Sequence, residues 1–255
     1  MKIITLNANG IRAAQRKGFF DWFAQEKPDV VCIQETKAQL DQLAPDLFIP
    51  QGYHFFQSDA VKKGYSGVSV YCKQEPKAVQ YGIDWQPFDS EGRWLQVDLE
   101  DLTVVSLYLP SGTSGDERQN FKYASMDKLE VVLQRMIDRE KPFVVCGDWN
   151  IAHKKIDIKN WRGNQKNSGF LPEERAWMTK LFEEFGLVDG FRETDDREEQ
   201  YTWWSNRGQA WANNTGWRID YHIASENLKG KVKTAGIYKD ERFSDHAPLT
   251  LEYDL

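Results

Sequence analysis

Short apolar runs, bounded by polar residues and glycine, dominate the hydrophobic pattern of this chain. Runs of this kind that are rich in β-branched residues are typical of β-strands. They predict strands over Lys2–Leu6, Asp29–Gln34, Gly67–Tyr71, Trp94–Leu99, Leu102–Leu109, Phe143–Gly147, Arg218–Ala224 and Ala247–Glu252. The runs that follow Asp29 and Phe143 are apolar without interruption, so we expect both strands to be covered on both faces.

Apolar residues recur at helical spacing in three other segments. These segments are Lys17–Gln25, Glu117–Arg139 and Pro172–Phe185. Pro28 stops the first helix, Gly186 suits the position after the third, and Ser114 with Glu117 has the spacing of a capping box for the second. Because the strands come in clusters and the helices do not alternate strictly with them, the pattern predicts an α/β (α+β) sandwich. Two packed mixed sheets would carry the helices on their outer faces.

The composition is that of an ordinary globular protein, with 40% hydrophobic and 28% charged residues among 255. No stretch resembles a linker or a repeat, so we expect one domain over residues 1–255. No apolar run approaches the ~18 residues that a membrane span requires. Three cysteines in strand-like runs (Cys32, Cys72 and Cys146) are expected to be buried thiols of a cytoplasmic protein.

The net charge of −6 conceals a marked asymmetry. Residues 183–200 carry eight acids and two bases, whereas residues 149–170 carry five bases and a single acid, Asp157. The five bases are Lys154, Lys155, Lys159, Arg162 and Lys166. A local basic stretch can attract phosphates even in an acidic protein. Charge alone does not distinguish a phosphate-binding surface from an ordinary solvated one.

Carboxylates and carboxamides stand at the ends of five predicted strands. The segments concerned are Asn7-Ala8-Asn9, Gln34-Glu35, Asp148-Trp149-Asn150, Arg218-Ile219-Asp220 and Ser244-Asp245-His246. A single residue of this type usually serves in a turn or a cap. Because strand ends in a sandwich gather at one rim, five of them favour a shared site.

The chemistry of this set points to phosphate. Hard oxygen ligands, which Mg²⁺ and Mn²⁺ prefer, are offered by Asn7, Asn9, Glu35 and Asp245. His246, oriented by Asp220, would supply a cation for a phosphoryl oxygen. Asp148, held in place by Asn150, would accept a proton from water. A metal ion, a proton acceptor and a cationic imidazole together suit phosphodiester hydrolysis.

Five motifs in order make the chain resemble a known family. They are Leu6–Arg12, Gln34–Lys37, Gly147–Ala152, Gly216–Tyr221 and Phe243–Pro248. The chain closely resembles the exonuclease III family of apurinic/apyrimidinic (AP) endonucleases, part of the endonuclease/exonuclease/phosphatase superfamily. The resemblance extends over residues 2–253 and implies a four-layer, DNase I-like α/β sandwich.

The resemblance also implies roles for individual residues. The implied catalytic residues are Tyr108, Asp148, Asn150, Asp220 and His246. The implied metal-binding residues are Asn7, Glu35, Asp148, Asn150 and Asp245, with Glu35 as the main ligand. Asp148 would activate water or protonate the leaving group, and Asp220 would orient His246 against the scissile phosphate, which Tyr108 also contacts.

The implied activity is that of a DNA repair phosphodiesterase dependent on Mg²⁺ or Mn²⁺. A monomer would cut double-stranded DNA 5′ to abasic sites, remove 3′-blocking groups and act as a 3′→5′ exonuclease. The implied pocket residues are Asn164, Asn167, Trp203 and Trp217. A bare deoxyribose would fit between Trp203 and Trp217, and a base would not.

Two other functions occur on related folds. One is a phosphatase of the same superfamily, acting on inositol phosphates; it would share the carboxylates but lack the abasic pocket. The other is a non-catalytic RNA-binding regulator. The intact set of predicted catalytic residues argues against the regulator, and Mg²⁺-dependent nicking of an abasic duplex would exclude it.

Overall fold

The computed structural model describes residues 1–255, and its strands, numbered in chain order, form two six-stranded sheets and a two-stranded ribbon. The first sheet contains β1 (Lys2–Asn7), β2 (Val30–Gln34), β3 (His54–Ser58), β4 (Val68–Cys72), β13 (Val232–Ile237) and β14 (Leu249–Tyr253). The second sheet contains β5 (Ala78–Tyr81), β6 (Trp94–Asp98), β7 (Thr103–Tyr108), β8 (Phe143–Asp148), β9 (Val188–Asp189) and β12 (Asp220–Ala224). The ribbon pairs β10 (Trp203–Trp204) with β11 (Gly216–Trp217).

Both large sheets are mixed. The first has the order β13-β14-β1-β2-β4-β3, in which only β1 and β2 run parallel. The second has the order β5-β6-β7-β8-β12-β9, in which only β7 and β8 run parallel. Every residue of β2 and β8 is buried, as their uninterrupted apolar runs predict.

Seven α-helices and three short 3₁₀ helices connect the strands. The α-helices are α1 (Ile11–Arg16), α2 (Phe19–Glu26), α3 (Pro45–Phe48), α4 (Gln86–Asp89), α5 (Asp116–Asp138), α6 (Trp161–Asn164) and α7 (Pro172–Glu183). The 3₁₀ helices are Leu40–Gln42, Lys155–Asp157 and Glu226–Leu228. None of the helices combines the length and the apolarity needed to cross a bilayer.

Three apolar clusters divide the molecule into four layers. One lies between the sheets and includes Val70 and Val104. A second joins Phe19 and Phe23 of α2 to the outer face of the first sheet. A third joins α5 and α7 to the outer face of the second sheet, for example through Leu129. Each large side chain so buried contributes about 1.5–3 kcal/mol. The predicted four-layer α/β sandwich is confirmed.

Some local details differ from the predictions. The first predicted helix forms as α2, but an additional helix, α1, precedes it, and Gly18 separates the two in a left-handed conformation (φ 86°). The capping box of α5 does not form, because Gly115 is the N-cap residue and Ser114 lies one position outside it. Strands β3, β5 and β13 escaped prediction. They are sheet edges, which are partly exposed and therefore carry mixed residues. The three cysteines are free and buried, as predicted.

Candidate active site

The topology brings the predicted strand ends together at one rim. Asn7, at the end of β1, pairs with Gln34 at the end of the parallel strand β2. In the second sheet Tyr108, at the end of β7, pairs with Asp148 at the end of β8. Asp220 begins the antiparallel strand β12 and lies opposite Asp148. Because β1 packs against β8 and β12 across the sandwich, all of these ends meet at one place.

Asn7 connects two carboxylates across the sheets. Its fully buried amide nitrogen donates to Glu35 Oε1 at 2.9 Å and to Asp148 Oδ2 at 2.8 Å. Glu35 adopts φ 49°, a left-handed conformation that is uncommon for a residue with a side chain. Such strain costs about 1–3 kcal/mol and occurs most often at functional sites. The backbone therefore holds Glu35 at the rim at a cost to stability.

His246 lies between two aspartates. Its Nδ1 is 2.8 Å from Asp220 Oδ2, and its Nε2 is 3.9 Å from Asp148 Oδ2. Burial opposes the charged imidazole, but the neighbouring carboxylates, Asp220 first, raise the pKa of His246 to about 10. Ligand-type atoms of the three side chains lie within 4.8 Å of one another. Because these carboxylates keep the imidazole protonated, its Nε2 has no lone pair to offer a metal ion, and His246 is better described as a cation held by Asp220.

Asp148 is almost fully buried beside this cation. Its Oδ1 accepts a hydrogen bond from the backbone N–H of Asn150 at 2.9 Å, in addition to the bond from Asn7 to its Oδ2. Burial and the charge of Asp220 raise the pKa of Asp148 to about 7, although His246 and the hydrogen bonds act in the opposite direction. A carboxylate with a pKa near neutrality is well suited to exchange a proton during catalysis.

A row of oxygen ligands lies beside Asp148. Lys37 Nζ is 2.8 Å from Glu35 Oε2 and donates to Asn9 Oδ1 at 2.5 Å, and Asn9 donates to Asp245 Oδ1 at 3.0 Å. Burial raises the pKa of Glu35, but Lys37 and Asn7 outweigh it and lower this pKa, so the carboxylate is ionised. A set of carboxylate and amide oxygens with no sulfur ligand suits a hard divalent ion such as Mg²⁺ or Mn²⁺. The sequence motif contained Lys37 but assigned it no role.

Tyr108 points into the same region from β7. Its ring centroid lies 4.4 Å from the guanidinium carbon of Arg93, and Arg93 Nη1 donates to the Tyr108 carbonyl at 3.0 Å. The Arg93 side chain is 1% exposed and pairs with Glu91 at 2.6 Å. Burial and the charge of Glu35 raise the pKa of Tyr108 well above its usual value, so the phenol keeps its proton. No local sequence signal marks Arg93, because its contact with Tyr108 joins residues 15 positions apart.

These groups open into a cavity of about 950 Å³. The cavity is lined by the predicted site residues except Asn9, which lies outside it, and Asn7 and Asp220, which lie fully buried behind it. Asn164 and Asn167 form another part of the lining, with Asn167 Nδ2 donating to Asn164 Oδ1 at 2.8 Å. The structure therefore brings the predicted chemical groups and the predicted pocket residues into one space.

The two predicted pocket tryptophans differ from expectation in their arrangement. Trp203 and Trp217 face each other across the ribbon, with ring centroids 6.0 Å apart and an interplanar angle of 84°. Rings in edge-to-face contact leave no slot between them, so the expectation of a sugar held between the indoles is wrong. They form adjoining parts of one apolar wall. Trp203 Nε1 also donates to Asp245 Oδ2 at 3.2 Å, which ties this wall to the oxygen ligands.

The cavity contains residues that the sequence analysis left unassigned. Ser111, Gly112 and Thr113, before α5, line one part of it, and Arg207 lines another. Residues 200–239 carry six bases and two acids, and this local excess is the only sequence signal for Arg207. A cationic side chain at the edge of such a cavity suits contact with a phosphate.

Known proteins resemble this chain in sequence over nearly all of its length. A sequence model of the Endonuclease/Exonuclease/phosphatase family matches residues 4–246. The chain is 43% identical over 255 residues to an exodeoxyribonuclease of Bacillus subtilis (strain 168), with 98% of each protein covered. It is 39% identical over 254 residues to the DNA repair nuclease APEX1 of Danio rerio, with 98% of this chain and 81% of that protein covered.

Solved structures share the fold. An AP endonuclease from Archaeoglobus fulgidus matches with a TM-score of 0.92 and 29% identity, over 100% of both chains. A 3′ phosphatase from Neisseria, bound to a product DNA hairpin, matches with a TM-score of 0.88 and 25% identity, over 100% of both chains. The chain therefore belongs to the endonuclease/exonuclease/phosphatase family, among the AP endonucleases of the exonuclease III type that its motifs resemble.

Proposed function

We propose that this protein is a Mg²⁺-dependent DNA repair phosphodiesterase that cleaves the backbone 5′ to abasic sites. It would also remove 3′-blocking groups and degrade DNA from 3′ ends. The observation that carries the proposal is the shared cavity, which is lined both by Asp148 and His246, with Asp220 buried behind them, and by an apolar tryptophan wall. The names of the relatives, an exodeoxyribonuclease and a DNA repair nuclease, support the same reading.

In this mechanism Asp148 and His246 are the catalytic residues at the scissile phosphate. Asp148, with a pKa of about 7, would accept the proton of the attacking water. His246, cationic at neutral pH and held by Asp220, would stabilise the negative charge that develops on the phosphoryl oxygens. Asn150, whose amide donates to the Leu109 carbonyl at 2.8 Å, would keep the nucleophile in line. The protonated phenol of Tyr108 would donate to the same phosphate.

Glu35 would be the main ligand of the metal ion, assisted by Asp245 and Asn7. Mg²⁺ or Mn²⁺ would supply a Lewis acid that neutralises phosphate charge when bound. The support for a metal ion is the set of hard oxygen atoms at this place. The Lys37 ammonium contacts two of the residues that provide them, Glu35 and Asn9, so the oxygens already face a cation. Zn²⁺, a borderline ion that favours nitrogen and sulfur ligands, should substitute poorly.

Recognition of the abasic site would depend on the rest of the cavity. An abasic nucleotide has no base to unstack, so extruding it from the duplex costs less than flipping a normal nucleotide. The apolar wall of Trp203 and Trp217 would contact the sugar, and Asn164 and Asn167 would bind its phosphate.

The basic segment 149–170 would lie along the DNA backbone. Its single acid, Asp157, is buried and paired with Arg192 and Arg218, so it does not neutralise the surrounding bases. Lys155 and Arg162 flank the ring of Trp161 at 4.1 and 4.7 Å, which presents two cations on one surface. Contacts of this type position the DNA without reading its sequence. One chain, acting as a monomer and a single domain, would be sufficient.

The decisive experiment compares three matched duplexes: one with an abasic site, one with a 3′-phosphate and one with an intact end. We expect Mg²⁺-dependent incision 5′ to the abasic site, complete loss in EDTA, and recovery with Mg²⁺ or Mn²⁺. Glu35→Ala should raise the Mg²⁺ concentration required. Full activity in EDTA, or release of phosphate from an inositol polyphosphate with no incision of DNA, would overturn the proposal.

A further inference from the structure

The most deeply buried ion pair of the protein lies next to the candidate active site. Lys122 of α5 and Glu174 of α7 both have 0% exposed side chains, and their charged atoms are 2.6 Å apart. Burying two charges costs several kcal/mol in desolvation, and an apolar pair of the same volume is often no less stable. Joining two helices does not by itself explain a pair with so large a desolvation cost. The other contacts of Lys122 and Glu174 indicate a second role.

The lysine end of the pair holds the turn that carries Asp148 and Asn150. Lys122 Nζ donates to the backbone carbonyl of Asn150 at 2.8 Å. Asn150 is in a left-handed conformation, φ 51°, and its own N–H bonds Asp148 Oδ1. The bond from Lys122 thus fixes the Asn150–Ile151 peptide, two residues after the predicted proton acceptor.

The carboxylate end of the pair holds the loop that follows Asn167. Glu174 Oε2 accepts hydrogen bonds from the backbone N–H of Gly169 at 2.6 Å and of Leu171 at 3.1 Å. A Cβ at Gly169 would lie 3.0 Å from the Trp217 ring and 3.1 Å from the Asn150 carbonyl. This loop is therefore packed directly between the apolar wall and the catalytic turn.

We propose that Lys122 and Glu174 are positioning residues, which fix the distance between the Asp148–Asn150 turn and the loop that follows Asn167, and through that loop the placement of Asn164 and Asn167. The inference rests on the proposed function, because it links Lys122 to the residues that act on the phosphate and Glu174 to the residues that bind the extruded nucleotide. A displacement of about 1 Å between such groups can reduce turnover about 100-fold. Neither residue touches the DNA in this scheme.

The test uses a double variant, Lys122→Met with Glu174→Leu. Each single variant leaves a buried charge without a partner and is expected to lower the melting temperature, whereas the double variant removes both charges. Lys180→Met is the matched control, because Lys180 pairs with Glu130 at 2.6 Å and joins the same two helices on the surface. The measurements are the melting temperature, kcat and KM on an abasic duplex, all at a temperature where each protein is fully folded.

We expect the folded double variant to lose about 10- to 100-fold in kcat, with a much smaller change in KM, because misplacement affects the reacting groups more than DNA binding. Lys180→Met should keep kcat within about twofold, because an exposed ion pair contributes little to stability and this one contacts no residue of the site. A folded double variant with wild-type kcat would overturn this inference alone. A wild-type protein that fails to cut the abasic duplex would overturn the proposed function and this inference with it.

Discussion

Asp148 is the single residue on which the proposed chemistry depends most. It is buried, it accepts hydrogen bonds from Asn7 and Asn150, and its pKa of about 7 lies in the working range of a proton acceptor. Asp148→Asn keeps the shape but removes both the charge and the basicity. We expect the single-turnover rate on an abasic duplex to fall about 100-fold or more. Binding of the uncut duplex should persist, because a carboxylate near phosphate is repulsive.

A matched control for this substitution is Asp98→Asn. Asp98 also ends a strand of the second sheet, but it bonds Thr103 at 2.7 Å and does not line the cavity. Its variant should cut at the wild-type rate. If Asp148→Asn also cut at the wild-type rate, the prediction would be wrong and Asp148 would have only a structural role in the turn.

The Asp220–His246 pair makes a prediction about additivity. Asp220 is fully buried, and its bond to His246 Nδ1 at 2.8 Å is its main contact with the site. If Asp220 acts only through the imidazole, then Asp220→Asn and His246→Ala should lower kcat, and the double variant should be little worse than the worse single one. Losses that add in the double variant would show that the two residues act separately.

At the scale of elements, the β10–β11 ribbon gives a test of abasic recognition. Trp217→Ala removes part of the apolar wall without touching Asp148, His246 or the oxygen ligands. Loss of one contact of this size should reduce cleavage at the abasic site about 5- to 150-fold. The ratio of abasic to undamaged cutting should shrink as well, because a normal nucleotide is excluded less strictly. Rates on both duplexes at one salt concentration check this.

The adjacent Trp204 is the natural control for this ribbon. It is 1% exposed and packs against Trp211 with centroids 4.4 Å apart, away from the cavity. Trp204→Ala should therefore lower the melting temperature, as expected for a large core truncation, but leave the rates of the folded protein unchanged. The pocket assignment of Trp217 would be wrong if Trp217→Ala gave this same pattern.

For the whole molecule, two buried histidines predict how stability changes with pH. Burial lowers the pKa of His222 to about 3 and that of His153 to about 4. Between these values and about 6.5, a histidine binds a proton in the unfolded chain but not in the folded one. The contribution of these two histidines to stability is therefore complete above about pH 6.5 and is lost as the pH decreases. At pH 5 each histidine should account for about 2 kcal/mol of lost stability.

Urea unfolding at pH 7 and pH 5 measures this dependence. His222→Leu should reduce the loss between the two pH values by the share of one histidine, whatever its effect on absolute stability. The exposed His54 is the control, and His54→Gln should leave the loss unchanged. An equal loss in wild type and His222→Leu would contradict the prediction.

The parts of the fold that could be predicted are those with a strong local pattern. The central strands carry uninterrupted apolar runs because they are buried on both faces. The helices α5 and α7 carry apolar residues at helical spacing because one face of each is buried. The edge strands and the two-residue strands of the ribbon have no such pattern. Lys122 illustrates the limit within a predicted helix, since a lysine normally indicates a solvent-exposed position and here is completely buried.

The sequence by itself determined the sandwich, the family and the identity of the chemical groups. Local apolar patterns decide which segments become strands and helices, and the polar strand ends stand inside recognisable motifs. Only the tertiary structure decided which of these groups touch. Asn7 and Asp148 are 141 positions apart, and Lys122 and Glu174 are 52 apart. The contact between Trp203 and Trp217, the stacking of Arg93 on Tyr108 and the buried ion pair all depend on packing between distant segments, and no local pattern encodes them.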